Sequence, residues 1–187
     1  SELIKSFKLE NVVSAAANFD FERLKWVNQK HLTETSDEAL VEKIIEVSPE
    51  TGLLEKGKFL LAISLVKERA ETLLDFWKLM KYLFYAPEVF EEKAVEKLSK
   101  QSKAILEEGE KIACASENKA VLNEGEDFIN SCLGWCADNN IKTGQLMMTF
   151  RIAFVGGLHG IDLKKIVSFI GLKETCVRLK KLKEFLG

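Results

Sequence analysis

The sequence is short of several things, and each shortage narrows what the chain is. Only two prolines, Pro49 and Pro87, occur in 187 residues. Each stands in a polar break between periodic segments, so nothing inside those segments interrupts a helix. The longest apolar runs, such as Phe59 to Val66, fall well short of the roughly 20 residues a bilayer-spanning helix needs, so no membrane partner is expected. The opening residues lack a basic stretch followed by an apolar one, and no secretory leader is expected. Neither sign of charge prevails: 27 Lys and Arg against 29 Asp and Glu leave a net charge of −2, which is no argument for nucleic acid and gives no reason to expect DNA. The four cysteines, at 114, 132, 136 and 176, include no Cys-x-x-Cys pair. They lack the density of a disulfide framework, so a reducing, cytoplasmic setting is expected. With His31 and His159 the only histidines, Cys132 and Cys136 are read as small buried hydrophobes and no metal site is assigned.

What remains is 47% hydrophobic and 30% charged, the balance of a soluble globular protein. Thr35 and Glu38 form a candidate capping box ahead of Leu40, Ile44 and Val47 at helical spacing. Ser48 and Pro49 then stop that helix. From Phe59 to Tyr85 the pattern predicts one long or two consecutive helices, interrupted on the apolar side by Lys67, Glu68 and Arg69. A more polar helix is predicted from Glu91 to Ala113, with opposite charges four apart. Phe128, Ile129, Cys132, Leu133, Trp135 and Cys136 give the next helix a broad apolar face, ended by Asp138, Asn139 and Asn140. Thr143 and Asp162 are candidate N-caps of the last two helices, and Gly171 is the expected stop of the final one. Alternation of period two is missing, as is any repeat of fixed length, so the expected fold class is all-α.

The chemistry concentrates between Met147 and Lys165, where an apolar helix carries Arg151, breaks at Gly156 and Gly157, and restarts past His159. Lys97 to Gln101, Lys-Leu-Ser-Lys-Gln, looks like an ATP-holding lysine loop. It lies in a helical pattern with no preceding sheet and is read as a solvated helix face. Gly156, Gly157 and Gly160 would permit a phosphate cradle, but no phosphate-loop spacing is present, and an interhelical corner is the plainer account. His159 has no nearby nucleophile, and Asp162 is already used as a cap, so no catalytic residue is assigned. Arg151 stands among Met148, Phe150, Ile152 and Phe154, where an unpaired guanidinium is costly to bury. Its partner is either an internal carboxylate or a nucleobase edge or phosphate, for which the planar fork is well shaped. The basic run Lys173, Arg178, Lys180, Lys181 and Lys183 reads as a solvated face or a phosphate-steering patch.

Three segments, in order, resemble the C-terminal half of bacterial glutamyl-tRNA synthetases, a class I aminoacyl-tRNA synthetase family. Phe19, Asp20, Leu24, Trp26 and Asn28 match one family segment, with Arg23 and His31 in place of its lysine and tyrosine. Glu68, Arg69, Thr72 and Leu73 match a Glu-Arg-x-x-Thr-Leu helix. The run from Thr143 to Leu179 is similar to the closing signature, with Phe150 for its leucine and Ile161 and Asp162 where proline is common. The resemblance implies a stem-contact remnant over 1–34 and two helical anticodon-binding subdomains over 35–95 and 96–187. It implies a monomeric, cytoplasmic partner of tRNA(Glu) that holds no cofactor itself. ATP and Mg would serve the parent ligase, whose catalytic domain lies outside this chain. Carried over by position, Arg151 becomes a reader of an anticodon base, and His159, Gly160 and Leu163 the turn against which a base lies, with Lys164 beside them. Lys25 and Lys30 are expected to touch phosphates, while Trp26 and Asn28 are local packing and capping residues. The competing expectation is an all-α protein-interaction module that docks a helix on the aromatic stripe from Trp77 to Tyr85. The burial of that stripe separates the two.

Overall fold

The computed structural model describes residues 2–11, 18–116 and 124–187. All regular structure among them is helical: α1 (Glu2–Ser6), α2 (Phe21–Glu34), α3 (Asp37–Val47), α4 (Lys56–Val66), α5 (Leu73–Phe84), α6 (Glu92–Val95), α7 (Ser102–Ser116), α8 (Glu124–Asp138), α9 (Thr143–Val155) and α10 (Leu163–Phe185), with 3-10 turns at Leu9–Asn11, Pro49–Leu53 and Lys67–Arg69. The all-α expectation holds. No helix among the described residues is long and apolar enough to cross a membrane.

Local chemistry explains most boundaries. Ser36 caps α3 by accepting from the Ala39 amide at 3.3 Å, so the cap lies one residue later than the Thr35 expected; the Thr35 hydroxyl instead donates back to the His31 carbonyl. Pro49 starts a 3-10 turn, as a residue without an amide hydrogen can. The 59–85 stretch resolves into two helices, because Lys67, Glu68 and Arg69 form a 3-10 turn between α4 and α5. Asp75 then accepts both the backbone N–H and the hydroxyl of Thr72 at 2.8 Å, fixing the start of α5. Asp162 caps α10 as expected, accepting from the Lys164 amide at 2.8 Å. Thr143 is the first residue of α9 and Lys142 its cap, with no side-chain bond, so the expected cap is displaced by one.

Three expectations need larger corrections. The polar helix predicted from Glu91 to Ala113 is broken into α6 and α7. Lys97 to Gln101 lies in the turns between them, where the Ser99 amide donates to the Ser102 hydroxyl at 3.1 Å. Serine favours such side-chain-to-backbone bonds over helix continuation. Gly171, at φ 79°, kinks the last helix without ending it, and a second helical segment runs on to Phe185. Finally, Cys114 and Cys176 bring their sulfurs into bonding contact with Cα atoms 6.1 Å apart, inside the range a disulfide bridges. Cys132 and Cys136 are buried as expected.

Helices α3, α4 and α5 pack on one another, and α7, α8 and α9 pack around α10, which also touches α5. One apolar cluster runs through both groups, from Leu40, Phe59 and Phe76 to Phe150, Leu179 and Leu182. Phe84 of α5 meets Phe169 of α10 edge-on at 5.4 Å, and Phe150 lies between Phe128 and Phe154 at 5.6 and 5.5 Å. The α8–α10 contact is close: a methyl at Gly125 would overlap the Lys164 carbonyl oxygen.

Arg178 is 1% exposed, which corrects its place in a solvated or phosphate-steering face. Its Nε donates to Glu174 at 2.8 Å, and its Nη1 donates to the carbonyls of Tyr82 at 2.5 Å and Phe154 at 3.0 Å. One guanidinium therefore ties α5, α9 and α10 together. Burial pulls its pKa down, and the Glu174 carboxylate holds it up.

Candidate functional site

The corner between α9 and α10 is built from glycine and pinned from several sides. Gly156 closes α9 in the left-handed region, at φ 85°, and its amide donates to the Ile152 carbonyl at 2.9 Å. A side chain there would be strained and would stand 2.8 Å from the Val89 carbonyl oxygen. The Gly156 carbonyl in turn accepts the Glu91 amide at 2.8 Å, and any side chain at Gly157 would collide with the Glu91 carboxylate. The N–H of Ile161 donates to the Tyr82 hydroxyl at 3.0 Å.

Two guanidiniums complete the pinning. Arg151 Nη1 donates to the Ile161 carbonyl at 2.9 Å, and Arg69 Nη1 donates to the Gly160 carbonyl at 2.5 Å. Tyr82 lies within the field of both cations. Burial raises its pKa, while the Ile161 amide and the charges of Arg69 and Arg151 oppose that rise. Arg151 is half-buried and makes no ion pair with a carboxylate among the described residues. The internal acid that would have closed the question is therefore not its partner; a main-chain carbonyl is, and that carbonyl uses one of the five donors a guanidinium carries.

A cavity of about 700 Å³ opens beside the corner, lined by Lys78, Lys81, Tyr82, Tyr85, His159 and Gly160 among others. His159 is exposed at its mouth and Tyr85 is 52% exposed. Two lysines are balanced there by Glu88 and Glu91, so the concavity is mixed in charge; its accessible aromatic face and bare glycine backbone suit an unstacked base.

The structure brings Arg151, His159 and Gly160 together, as the sequence suggested. Leu163 is 2% exposed, so its side chain holds the start of α10 and faces away from any ligand. Lys164 pairs with Glu126 at 2.8 Å beside a separate cavity of about 250 Å³. Lys25 and Lys30 lie on α2, which packs on the Lys67–Arg69 turn and does not line the larger cavity. Lys25 contacts Glu22 at 2.9 Å and Glu71 at 4.0 Å, and the Glu22 hydrogen bond raises its pKa. Lys30 lies over the Trp26 ring at 5.9 Å, and Asn28 donates to the Glu71 carbonyl. Trp26 is 58% exposed, so it is a surface platform for Lys30 more than a packing residue.

Sequence reasoning missed Arg69, Tyr82, Lys78 and Lys81. Arg69 stood in the quoted Glu-Arg-x-x-Thr-Leu segment, a signal that it had a fixed task, whereas nothing local marked Tyr82 or the two lysines. In the stripe from Trp77 to Tyr85 that supported a protein-docking module, Met80, Tyr82 and Leu83 are buried, Trp77 and Phe84 are half-buried against the core, and Tyr85 is exposed. Among the described residues, no group of three His, Cys, Asp or Glu side chains is placed to hold a metal.

An all-α module whose distinctive surface is a glycine-built corner between helices, held by two arginines and opening on a cavity, is the class that fold and site define. The chain belongs to the anticodon binding domain family, whose model matches residues 21–183. It is 33% identical over 186 residues to the glutamate–tRNA ligase of Flavobacterium johnsoniae, covering 96% of this chain and 35% of that protein. The ligase of Christiangramia forsetii is 34% identical over 184 residues, at the same coverage. A crystal structure of a glutamate tRNA ligase from Elizabethkingia meningosepticum, in complex with its amino acid, matches with a TM-score of 0.83 and 32% identity, covering 100% of this chain and 36% of that one. The chain thus spans 35% to 36% of the length of the relatives it matches.

Proposed function

We propose that this chain is the tRNA-reading portion of a glutamate–tRNA ligase, binding the anticodon of tRNA(Glu) at the α9–α10 corner. The observation that carries the reading is the end-to-end match to glutamate–tRNA ligases, coinciding with a half-buried Arg151 that has no acidic partner among the described residues. In this reading Arg151 presents its remaining donors to a base edge, His159 and Gly160 form the wall it lies against, and Lys78 and Lys81 attract the flanking phosphates. Leu163 supports the corner from inside. Lys164, Lys25 and Lys30 act as outlying phosphate contacts, and the first two must exchange Glu126 and Glu22 for a phosphate to do so.

The same reading divides the chain into a stem-contact remnant over 1–34 and anticodon-binding subdomains over 35–95 and 96–187. It assigns glutamate activation, with ATP and Mg, to the portion of the ligase outside this chain, and places the protein in the cytoplasm as a monomer. Filter binding against tRNA(Glu) and a transcript with a swapped anticodon tests it. Preference for the native anticodon and a steep fall in affinity with salt are expected. Salt-insensitive binding, or none, would refute it.

A further inference from the structure

The four cysteines fall into two kinds. Cys132 and Cys136 are buried, whereas Cys114 on α7 is exposed and Cys176 on α10 is half-buried. Packing alone holds this second pair together. Gly109 is buried in α7, and a Cβ there would stand 2.8 Å from Phe150 Cζ and 3.2 Å from Leu179 Cδ1. Its bare backbone lets α7 lie close against α9 and α10.

Polar contacts then fix the register of α7 on the antiparallel end of α10. Lys103 donates to the Gly187 carbonyl at 2.9 Å, Lys183 pairs with Glu110, and Cys114 lies opposite Cys176 with Cα atoms 6.1 Å apart. The step from Lys103 to Cys114 equals the step from Gly187 back to Cys176, so these contacts are rungs of one seam. Ala113 and Thr175, the neighbours of the two cysteines, are fully buried. A Cα separation in the bridging range lets an S–S bond close or open here without repacking, and the exposure of Cys114 gives oxidants and reductants access.

We propose that Cys114 and Cys176 form a reversible oxidation site, at which hydrogen peroxide joins the two thiols and a small dithiol separates them, so that oxidation staples α7 to α10. The Cys114 thiolate attacks a peroxide oxygen, the O–O bond breaks, and the departing hydroxide takes up a proton as water, leaving a sulfenic acid. The Cys176 thiolate attacks that sulfur, the S–OH bond breaks, and a second water leaves as the S–S bond forms. Two electrons pass from the thiols to the peroxide. The dithiol returns them through a mixed disulfide and is itself oxidised. The bond closes a loop spanning 62 residues that carries α8, α9 and the α9–α10 corner, and it joins α10 past the Gly171 kink, on the segment that holds Arg178. The site stands apart from the anticodon reading, since neither cysteine lines either cavity.

The test treats the full 187-residue chain, first reduced with dithiothreitol, with hydrogen peroxide. Intact mass should fall by two hydrogens, with Cys114 and Cys176 joined in the peptide map and Cys132 and Cys136 still thiols. Tm should rise by about 4–16 °C, the scale for a bridge across a loop of this length in a chain of this size. Dithiothreitol added to the folded protein should reverse both changes. In Cys176→Ser, dimedone should trap the sulfenic acid at Cys114; in Cys114→Ser, the Cys176 adduct should form more slowly. Peroxide treatment that leaves both thiols open to alkylation would overturn the proposal. So would a bridge that opens only in denaturant, which marks a permanent structural bond, or a bridged chain whose Tm is unchanged. Faster trapping at Cys176 would overturn the order of attack.

Discussion

Two arginines on the same pair of helices teach different lessons. Arg178 lies in the seam between α5, α9 and α10, is 1% exposed, and spends its donors on one carboxylate and two main-chain carbonyls. Arg151 lies at the corner where α9 turns into α10, half-buried, with one carbonyl and, among the described residues, no carboxylate. Arg178 answers carbonyls in the last turns of α5 and α9, which helix ends leave without partners, whereas Arg151 answers one in the turn ahead of α10. The seam arginine is sealed in, with Nε and Nη1 committed and no access for an incoming ligand. The corner arginine is incomplete, beside a cavity of about 700 Å³. Burial and the partner set together separate a structural guanidinium from one left half-buried beside a cavity.

Substitution at the seam should produce the largest effects. Arg178→Ala strands Glu174 and the carbonyls of Tyr82 and Phe154. Glu174 is 37% exposed and takes up water, so the loss comes from the two carbonyls left without donors, about 1–3 kcal/mol each, which in a chain of this size lowers Tm by about 4–24 °C in calorimetry. Gly125→Ala attacks the same seam by overlap with the Lys164 carbonyl. Overpacking of this kind costs about 1–3 kcal/mol, visible as a shifted denaturant midpoint. At the corner, Tyr82→Phe leaves the Ile161 N–H without its acceptor; a cost of about 1–2 kcal/mol is expected, with the added exchange confined to amides near 161. Arg151→Ala should change stability least of these and binding most, with affinity for tRNA(Glu) falling roughly tenfold to a hundredfold and discrimination against the swapped anticodon lost. An Arg151→Ala variant as unstable as Arg178→Ala, with tRNA binding intact, would erase the contrast.

The cysteines give a finer test on the seam side. Burial pushes the Cys132 thiol from its ordinary 9 to about 12. The protonated form is favoured in the fold, so this contribution to stability is fully present below pH 9 and is lost as pH rises from 9 towards 12. Denaturant titrations at pH 8 and pH 10 should show that direction. A thiol reagent at pH 8 should modify Cys132 only after unfolding.

How much of this was legible differs by feature. The spacing of Leu40 and Ile44 and the Asp162 cap were readable because a helix face and an N-cap are set by residues within one turn of each other, although Val47, at the same spacing, is left exposed at the helix end. The break at Lys97–Gln101 was not, because the charges there fit a solvated helix equally well and the serines 99 and 102 settled it through bonds to each other. Arg151 was singled out because a charge among apolar neighbours demands a partner. Arg178 sat among lysines and drew no such notice, although its environment is the more buried. Arg69 and Tyr82 reach the corner from 91 and 79 residues away, and no local pattern encodes such a meeting.

The sequence by itself determined that the chain is helical, where α8 ends and α10 begins, and which family it resembles. Those properties depend on neighbours within a turn or two, or on motifs kept in order. Tertiary structure alone decided which guanidinium became a structural pin and which stayed open, that Cys114 and Cys176 meet, and that the wall of the cavity is held by an arginine from the far side of the molecule. A side chain's role in those cases is set by the partners that packing brings within hydrogen-bond reach, and packing is a property of the whole fold.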